Sequence, residues 1–272
     1  MTKPAGAMMW FDGQAAQFDD SAGLEPAAGR SIAQAVLKLG RCTGDDFILD
    51  LGAGTGTVGS HFAELPSHYL GLDRSRPMLE IFRRKLAAWP QPMLLVQADG
   101  DRAWPIRDHA LTVVFASRVA HHLQPQHFVQ EVFRVCRSGG CLLLGQVTRE
   151  ADSLPSRLQR YKRTLLAERG LGAPVGGQVI QQIVEACHLL GADPLPPIVV
   201  AHWTRTTSAG RLLAFWEGKP QLSSRTRGNV LDAEQRAAVL HTLTDWARRE
   251  FGELDRPQEF SEAYTLQGVR LP

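Results

Sequence analysis

Up to about residue 148 the chain alternates short apolar runs with longer amphipathic ones. The short runs predict strands at Phe47–Leu51, Tyr69–Asp73, Met93–Ala98, Leu111–Ala116 and Cys141–Val147. The longer runs predict helices over Ala27–Leu39, Thr57–Leu65, Arg76–Trp89 and Gln126–Cys136. In the third of these, Met78, Leu79, Phe82, Leu86 and Trp89 recur at helical spacing, and Pro77 suits a first turn. Ser138-Gly139-Gly140 ends the fourth. Strands that are apolar on both faces and separated by helices imply a parallel sheet covered by helices on both sides, an α/β fold.

Beyond residue 148 the rhythm changes. Helices are expected over Arg157–Glu168, Gln178–Leu190, Ala209–Trp216 and Ala233–Phe251, with strands at Pro197–Thr204 and Phe260–Val269. A Gly/Pro-rich turn fills Gly170–Gly177, and a polar stretch fills Gly218–Asn229. This tail shows no independent core of obvious size. It is expected to finish the sheet and add a helical cap within one domain. The chain thus divides into an N-terminal lid segment (1–26), a core (27–148) and a sheet-completing, acceptor-capping part (149–272).

Composition narrows the function by exclusion. The 272 residues are 44% hydrophobic and 21% charged, as in ordinary globular proteins. Thirty basic residues against 28 acidic give a net charge of +2, which makes no electrostatic case for nucleic acid or an anionic membrane. Cys42, Cys136, Cys141 and Cys187 form no CxxC pair and read as reduced thiols of a cytoplasmic protein. The N-terminus lacks a signal-peptide apolar region, and no run approaches the ~20 apolar residues of a membrane span.

The chemistry begins at Asp50-Leu51-Gly52-Ala53-Gly54-Thr55-Gly56, between a strand and a helix. Glycines there permit unusual backbone angles and let a ligand approach the main chain. A shifted register, Gly54-x-Gly56-x-x-Gly59, also matches the dinucleotide fingerprint. Its first glycine falls two residues late, however, and Asp50 at the strand tip would face an incoming pyrophosphate. A carboxylate there suits a cationic ligand group. Asp73 ends the second strand, where its two oxygens suit a ribose diol. Asp99 ends the third, where a carboxylate suits an adenine amine. Three acids at three consecutive strand ends, beside a glycine loop, are hard to reconcile with chance.

With these segments in hand, ILDLGAGTG (48–56), YLGLDRSRPMLE (69–80), QADGDRAWP (97–105), LTVVFASRVAHHL (111–123) and EVFRVCRSGGCLLL (131–144), the chain resembles the class I S-adenosylmethionine-dependent methyltransferases. The resemblance is to the type 11 small-molecule group that includes ubiquinone- and menaquinone-biosynthesis enzymes, and it covers roughly 27–148. It implies a Rossmann-like, seven-stranded, mostly parallel sheet with helices on both faces, and S-adenosyl-L-methionine as cofactor. It also implies that Gly52, Ala53, Gly54 and Gly56 line the methionine part, with Asp50 near the amino group. Asp73 would take the ribose, with Arg74 beside it and Met78 on the adenine. Asp99 would take the adenine amine, with Gly100 beside it, and Ser117 and Arg118 would border the sulfonium. One departure is Cys136-Arg137-Ser138-Gly139-Gly140 where such sequences often carry Leu-Lys-Pro-Gly-Gly.

The acceptor is expected to be a small and apolar molecule bound above the carboxyl ends of the first and fourth strands. His121 and His122 are the nearest ionisable groups, as a general base or as packing for the next helix. A metal held by His121, His122 and His127 is disfavoured, because adjacent histidines on a short helix should point apart. Phe11 and Phe18 in the lid, with Trp203 and Trp216 in the tail, are pocket candidates, each otherwise core. Two other readings stay open: an NAD(P)-dependent oxidoreductase, and a catalytically silent methyltransferase-like binding protein. The acceptor's identity, the atom methylated and the oligomeric state, a homo-oligomer included, are not legible in the residues.

Overall fold

The computed structural model describes residues 24–25, 27–65, 67–87, 93–172, 176–219, 222 and 231–272. Phe11 and Phe18 of the expected lid lie outside these residues. Seven strands form one sheet: β1 (Phe47–Leu51), β2 (His68–Asp73), β3 (Leu94–Gln97), β4 (Leu111–Ser117), β5 (Cys136–Arg149), β6 (Asp193–Thr207) and β7 (Gln258–Arg270). Their order is β3-β2-β1-β4-β5-β7-β6. The pairs β3–β2, β2–β1, β1–β4 and β4–β5 are parallel. Strand β7 runs against β5: Leu271 N–H donates to the Gly140 carbonyl, while Tyr264 lies against Gly145. The expected seven-stranded, mostly parallel sheet is therefore the observed one. The order reverses between β1 and β4, which opens a crevice at their carboxyl ends, the usual ligand position in open α/β sheets.

The connecting helices are α1 (Ala28–Gly40), α2 (Arg76–Leu86), α3 (Pro125–Val135), α4 (Leu154–Ala167), α5 (Gly176–Leu189), α6 (Ala209–Glu217) and α7 (Ala233–Phe251), with short 3-10 turns at Gly59–Glu64 and Ala120–His122. Helix α2 starts on Ser75, whose hydroxyl accepts from Met78 N–H, with Pro77 in the first turn as expected. Strand β4 is buried along six of its seven residues, the signature of a central strand covered on both faces. Three prolines, Pro194, Pro196 and Pro197, are tolerated in β6 because it is an edge strand with one unpaired side.

Two compact units emerge. The first comprises Met1–Val147, Val175–Ala201 and Tyr264–Pro272, and the second Thr148–Pro174 and His202–Ala263. The second has an apolar cluster of its own, with Leu158, Leu166, Leu213, Trp216, Val239 and Leu243 among its buried members. The sequence reading found no such core. Its residues are spread over α4, α6 and α7, so no single apolar run announces it. Helix α7 begins with a capping box between Asp232 and Gln235.

Two local expectations are corrected. The helix expected from Thr57 is a 3-10 turn beginning at Gly59, because Gly56 and Gly59 are packed under the Phe82 ring. The glycine pair after α3 is not a break before a strand at Cys141. Strand β5 already begins at Cys136, and its register with β4 jumps from Leu111↔Cys136 to Val113↔Cys141. Ser138-Gly139-Gly140 thus forms a bulge, with Gly139 in the left-handed region (φ 71°).

The first unit is locked below β4 by a buried carboxylate. Glu131 on α3 accepts from Trp104 N–H (2.6 Å) and from Arg134, whose other guanidinium nitrogen reaches the Ile106 carbonyl and Asp108. The Arg134 guanidinium holds the Glu131 carboxyl below its usual range. Its stabilisation is therefore present above the usual carboxylate range and is lost as pH falls through the lowered value. Arg134→Met leaves this charge buried with one donor and is expected to lower stability by ~2–4 kcal/mol, read from urea unfolding at pH 7. Glu131→Gln with Arg134→Met should recover part of that loss.

Candidate functional site

The loop after β1 is built from three left-handed glycines, Gly52 (φ 76°), Gly54 (φ 55°) and Gly56 (φ 77°). They serve different purposes. A Cβ on Gly52 would meet Val119 at 2.6 Å, and one on Gly56 would overlap the Phe82 ring. A Cβ on Gly54 would meet only the Gly52 carbonyl, at 3.8 Å, so this glycine opens toward free space where a ligand can approach. Gly59, the last glycine of the dinucleotide register, is closed off by the Tyr69 hydroxyl and the Phe82 ring. That register therefore reports internal packing, not a backbone approach to a pyrophosphate.

Asp73 ties the loops together. Its Oδ2 accepts from Gly54 N–H (2.9 Å) and its Oδ1 from Ser75 N–H (2.8 Å). Burial pushes its carboxyl up, and the Ser75, Gly54 and Arg74 N–H bonds with the Arg74 charge oppose that shift. A carboxylate offers about four lone-pair sites, so Asp73 can accept further donors such as hydroxyls. Arg74 follows, its carbonyl accepting from the Gln97 amide (3.2 Å). Met78 is 2% exposed and belongs to the core beneath. Asp99, after β3, accepts from Asp101 N–H (3.1 Å), and the neighbouring Gly100 carbonyl accepts from the Trp104 indole (3.1 Å). A Cβ on Gly100 would meet Leu123 at 2.9 Å.

Asp50 is the electrostatic anomaly of the site. It is 2% exposed. Its Oδ2 accepts from the Tyr69 hydroxyl (2.7 Å), and its Oδ1, fully enclosed, has no hydrogen-bond partner among the described residues. Burial pushes its carboxyl up to about 7, with the Tyr69 bond opposing and the Asp73 charge adding to the rise. An enclosed carboxylate oxygen with no donor fits a cationic group.

Ser117 ends β4, and its Oγ lies 2.6 Å from the Tyr264 hydroxyl on β7. Tyr264 is fully buried, and Gly145 on β5 makes room for its hydroxyl. The two hydroxyls share this hydrogen bond, in which either can donate. Arg118 follows in the left-handed region (φ 59°), its N–H donating to the Gly145 carbonyl (2.8 Å). Tyr69, Tyr264 and Gly145 were not singled out from the sequence. No local motif marks them, and Tyr264 stands 147 positions from Ser117.

His121 and His122 lie in the 3-10 turn after β4 with ring centroids 3.9 Å apart. The expectation that they point apart is wrong, because the 3-10 turn brings the two rings together, tilted by 44° to each other. His127 is occupied elsewhere, its Nε2 2.8 Å from the Arg102 carbonyl. In the second unit, Trp203 donates its indole N–H to Glu262 (2.8 Å), and Trp216 lies beneath the Lys162 ammonium. Both indoles are at least nine-tenths buried.

Residues 49–144, about a third of the chain, match the family described as "Methyltransferase domain". Over 103 residues the chain is 33% identical to an uncharacterized methyltransferase of Mycobacterium tuberculosis, covering 38% of this chain and 40% of that protein. It is 35% identical over 100 residues to a demethylmenaquinone methyltransferase of Clavibacter sepedonicus, covering 36% of this chain and 39% of the relative. The chain thus spans about two-fifths of the length of the curated relatives it matches. The fold is shared with a solved candidate methyltransferase of Bacillus halodurans (TM-score 0.57, 19% identity, 88% of this chain and 98% of that one).

Because Asp50 is raised while lacking a counter-charge, its contribution to stability is full below its unfolded value, near 3.8, and is lost as pH rises through about 7. Asp50→Asn in the ligand-free protein is expected to raise the melting temperature at pH 8 and to leave it nearly unchanged at pH 5. Melting curves at the two pH values check this.

Proposed function

We propose that the protein is an S-adenosylmethionine-dependent methyltransferase acting on a small molecule in the cytoplasm. The observation that carries the reading is the enclosed, donor-less Oδ1 of Asp50 beside a glycine open to space at Gly54. Asp50 would hold the cofactor's ammonium, and Gly52, Ala53, Gly54 and Gly56 its methionine part. Asp73 would accept from both ribose hydroxyls, with Arg74 flanking. Asp99 and Gly100 would border the adenine. Met78 would support that ring from the core, and Ser117 would border the methionine end. When bound, S-adenosylmethionine supplies a sulfonium-activated methyl group for in-line displacement.

The chain's own work is alignment and exclusion of water, which accounts for the lack of a nucleophile motif. His121 and His122 are the groups proposed to take a proton from a hydroxyl acceptor. The segment 1–26, with Phe11 and Phe18, is proposed as a lid, and residues 149–272, with Trp203 and Trp216, as the part that selects the acceptor.

Calorimetric titration should find binding of S-adenosylmethionine and S-adenosylhomocysteine. Two bonds to the Asp73 carboxylate at ~1.5 kcal/mol each correspond to a loss of about 100-fold in affinity in Asp73→Ala. A melting curve of the variant separates lost binding from lost fold. Binding of NADH with neither adenosyl compound bound would sink the proposal.

A further inference from the structure

Among the described residues, five acidic or basic side chains are buried: Asp46, Asp50, Glu131, Lys162 and Glu262. Three of them face an arginine. Asp46 is paired with Arg137 (2.8 Å), Glu131 with Arg134 (2.6 Å), and Glu262 with Arg149 and, at 3.8 Å, Arg205. Each also accepts a neutral donor: Thr112 for Asp46, Trp104 for Glu131 and Trp203 for Glu262. Two lack a counter-charge. Asp50 lies in the cleft read above as a cofactor site. Lys162 lies in the second unit.

Lys162 sits on α4 and is 5% exposed. Its Nζ stands 4.0 Å from the centroid of the Trp216 ring on α6. It makes no hydrogen bond and no ion pair among the described residues. The surroundings are apolar, with Leu158, Leu165, Leu166 and Leu213 in the same cluster. Arg163, its neighbour on the helix and itself a cation, is the charge that acts on it. Burial brings the ammonium down to about 8, and the Arg163 charge adds to the fall.

A buried ammonium without an anion is costly, and a cation–π contact of about 2 kcal/mol offsets only part of that cost. The ring occupies one face of the head. Three N–H donors remain to be shared, and a compact oxyanion can use them. We infer that Lys162 and Trp216 form an oxyanion subsite of the second unit, taking the carboxylate or phosphate of a small molecule whose apolar body lies along the indole. On the reading that residues 149–272 select the acceptor, the occupant is an acidic acceptor with an apolar body. The site itself is argued without that reading.

The test uses the full-length protein with 13C-labelled lysine, which has only five lysines. The Lys162 signal is the one lost in Lys162→Met, and it should titrate near 8. Sodium benzoate or inorganic phosphate should move that titration upward by about one unit or more, as an opposite charge does. A response to benzoate alone assigns a carboxylate, and a response to phosphate alone assigns a phosphate; either supports the subsite. Lys162→Met should bind the responding probe at least tenfold more weakly, and Lys162→Arg should retain it. Lys162→Met should also melt no lower than wild type, because an apolar side chain replaces an uncompensated charge. A Lys162 titration that neither probe moves, or equal probe binding by Lys162→Met, overturns the assignment. Binding of S-adenosylhomocysteine to the same samples reports separately on the methyltransferase reading.

Discussion

The hydrogen bond from Tyr69 to Asp50 connects the core of the first unit to its chemistry. The Tyr69 ring packs against Phe62 and Phe82, with centroids 5.3 and 5.9 Å away. Its hydroxyl lies where a Cβ on Gly59 would be, and Phe82 closes over Gly56 in the same way. The two glycines, the two rings and the carboxylate therefore form one packed assembly. The Asp50 carboxylate is then dry on one side and satisfied on only one oxygen. Moving any member would shift the loop whose Gly54 N–H is held by Asp73. The loop's shape, the position of the open glycine and the raised carboxyl of Asp50 thus have a common origin in how tightly β1 and β2 pack against α2.

Charge compensation divides the buried ionisable groups of the described residues into two kinds. The carboxylates of Asp46, Glu131 and Glu262 are as deeply buried as Asp50, yet each is met by an arginine and by at least one neutral donor. They knit strands and helices together and ask for nothing further. Asp50 and Lys162 are left with an unmet electrostatic need, negative in one unit and positive in the other. An unmet need of this kind is tolerated where a ligand meets it, because ligand binding returns the free energy spent in desolvating the group.

Much of the first unit was legible because its information is local. Apolar runs marked the strands, helical spacing marked α2 and α3, and glycines and aspartates at strand ends marked the loops. Asp50, Gly54, Asp73 and Asp99 fall at strand ends where a ligand can be met, since a strand end in a parallel sheet is a fixed place relative to its neighbours. Less was legible wherever long-range packing decides. The 3-10 turn at Gly59 follows from a ring 23 positions away, and the bulge at Ser138-Gly139-Gly140 from the register β4 imposes. The close approach of the His121 and His122 rings depends on which turn the backbone adopts.

By itself, then, the sequence determined the alternation of elements, the parallel sheet and the acidic and glycine positions at its strand ends, because periodicity and turn chemistry act over a few residues. Tertiary structure alone decided which charges are compensated. It also brought Tyr264 through the gap at Gly145 to Ser117, assembled a core from α4, α6 and α7, and set the Lys162 ammonium over Trp216. Each of these depends on residues tens to more than a hundred positions apart. Desolvation and pairing exist only once the chain has closed around them.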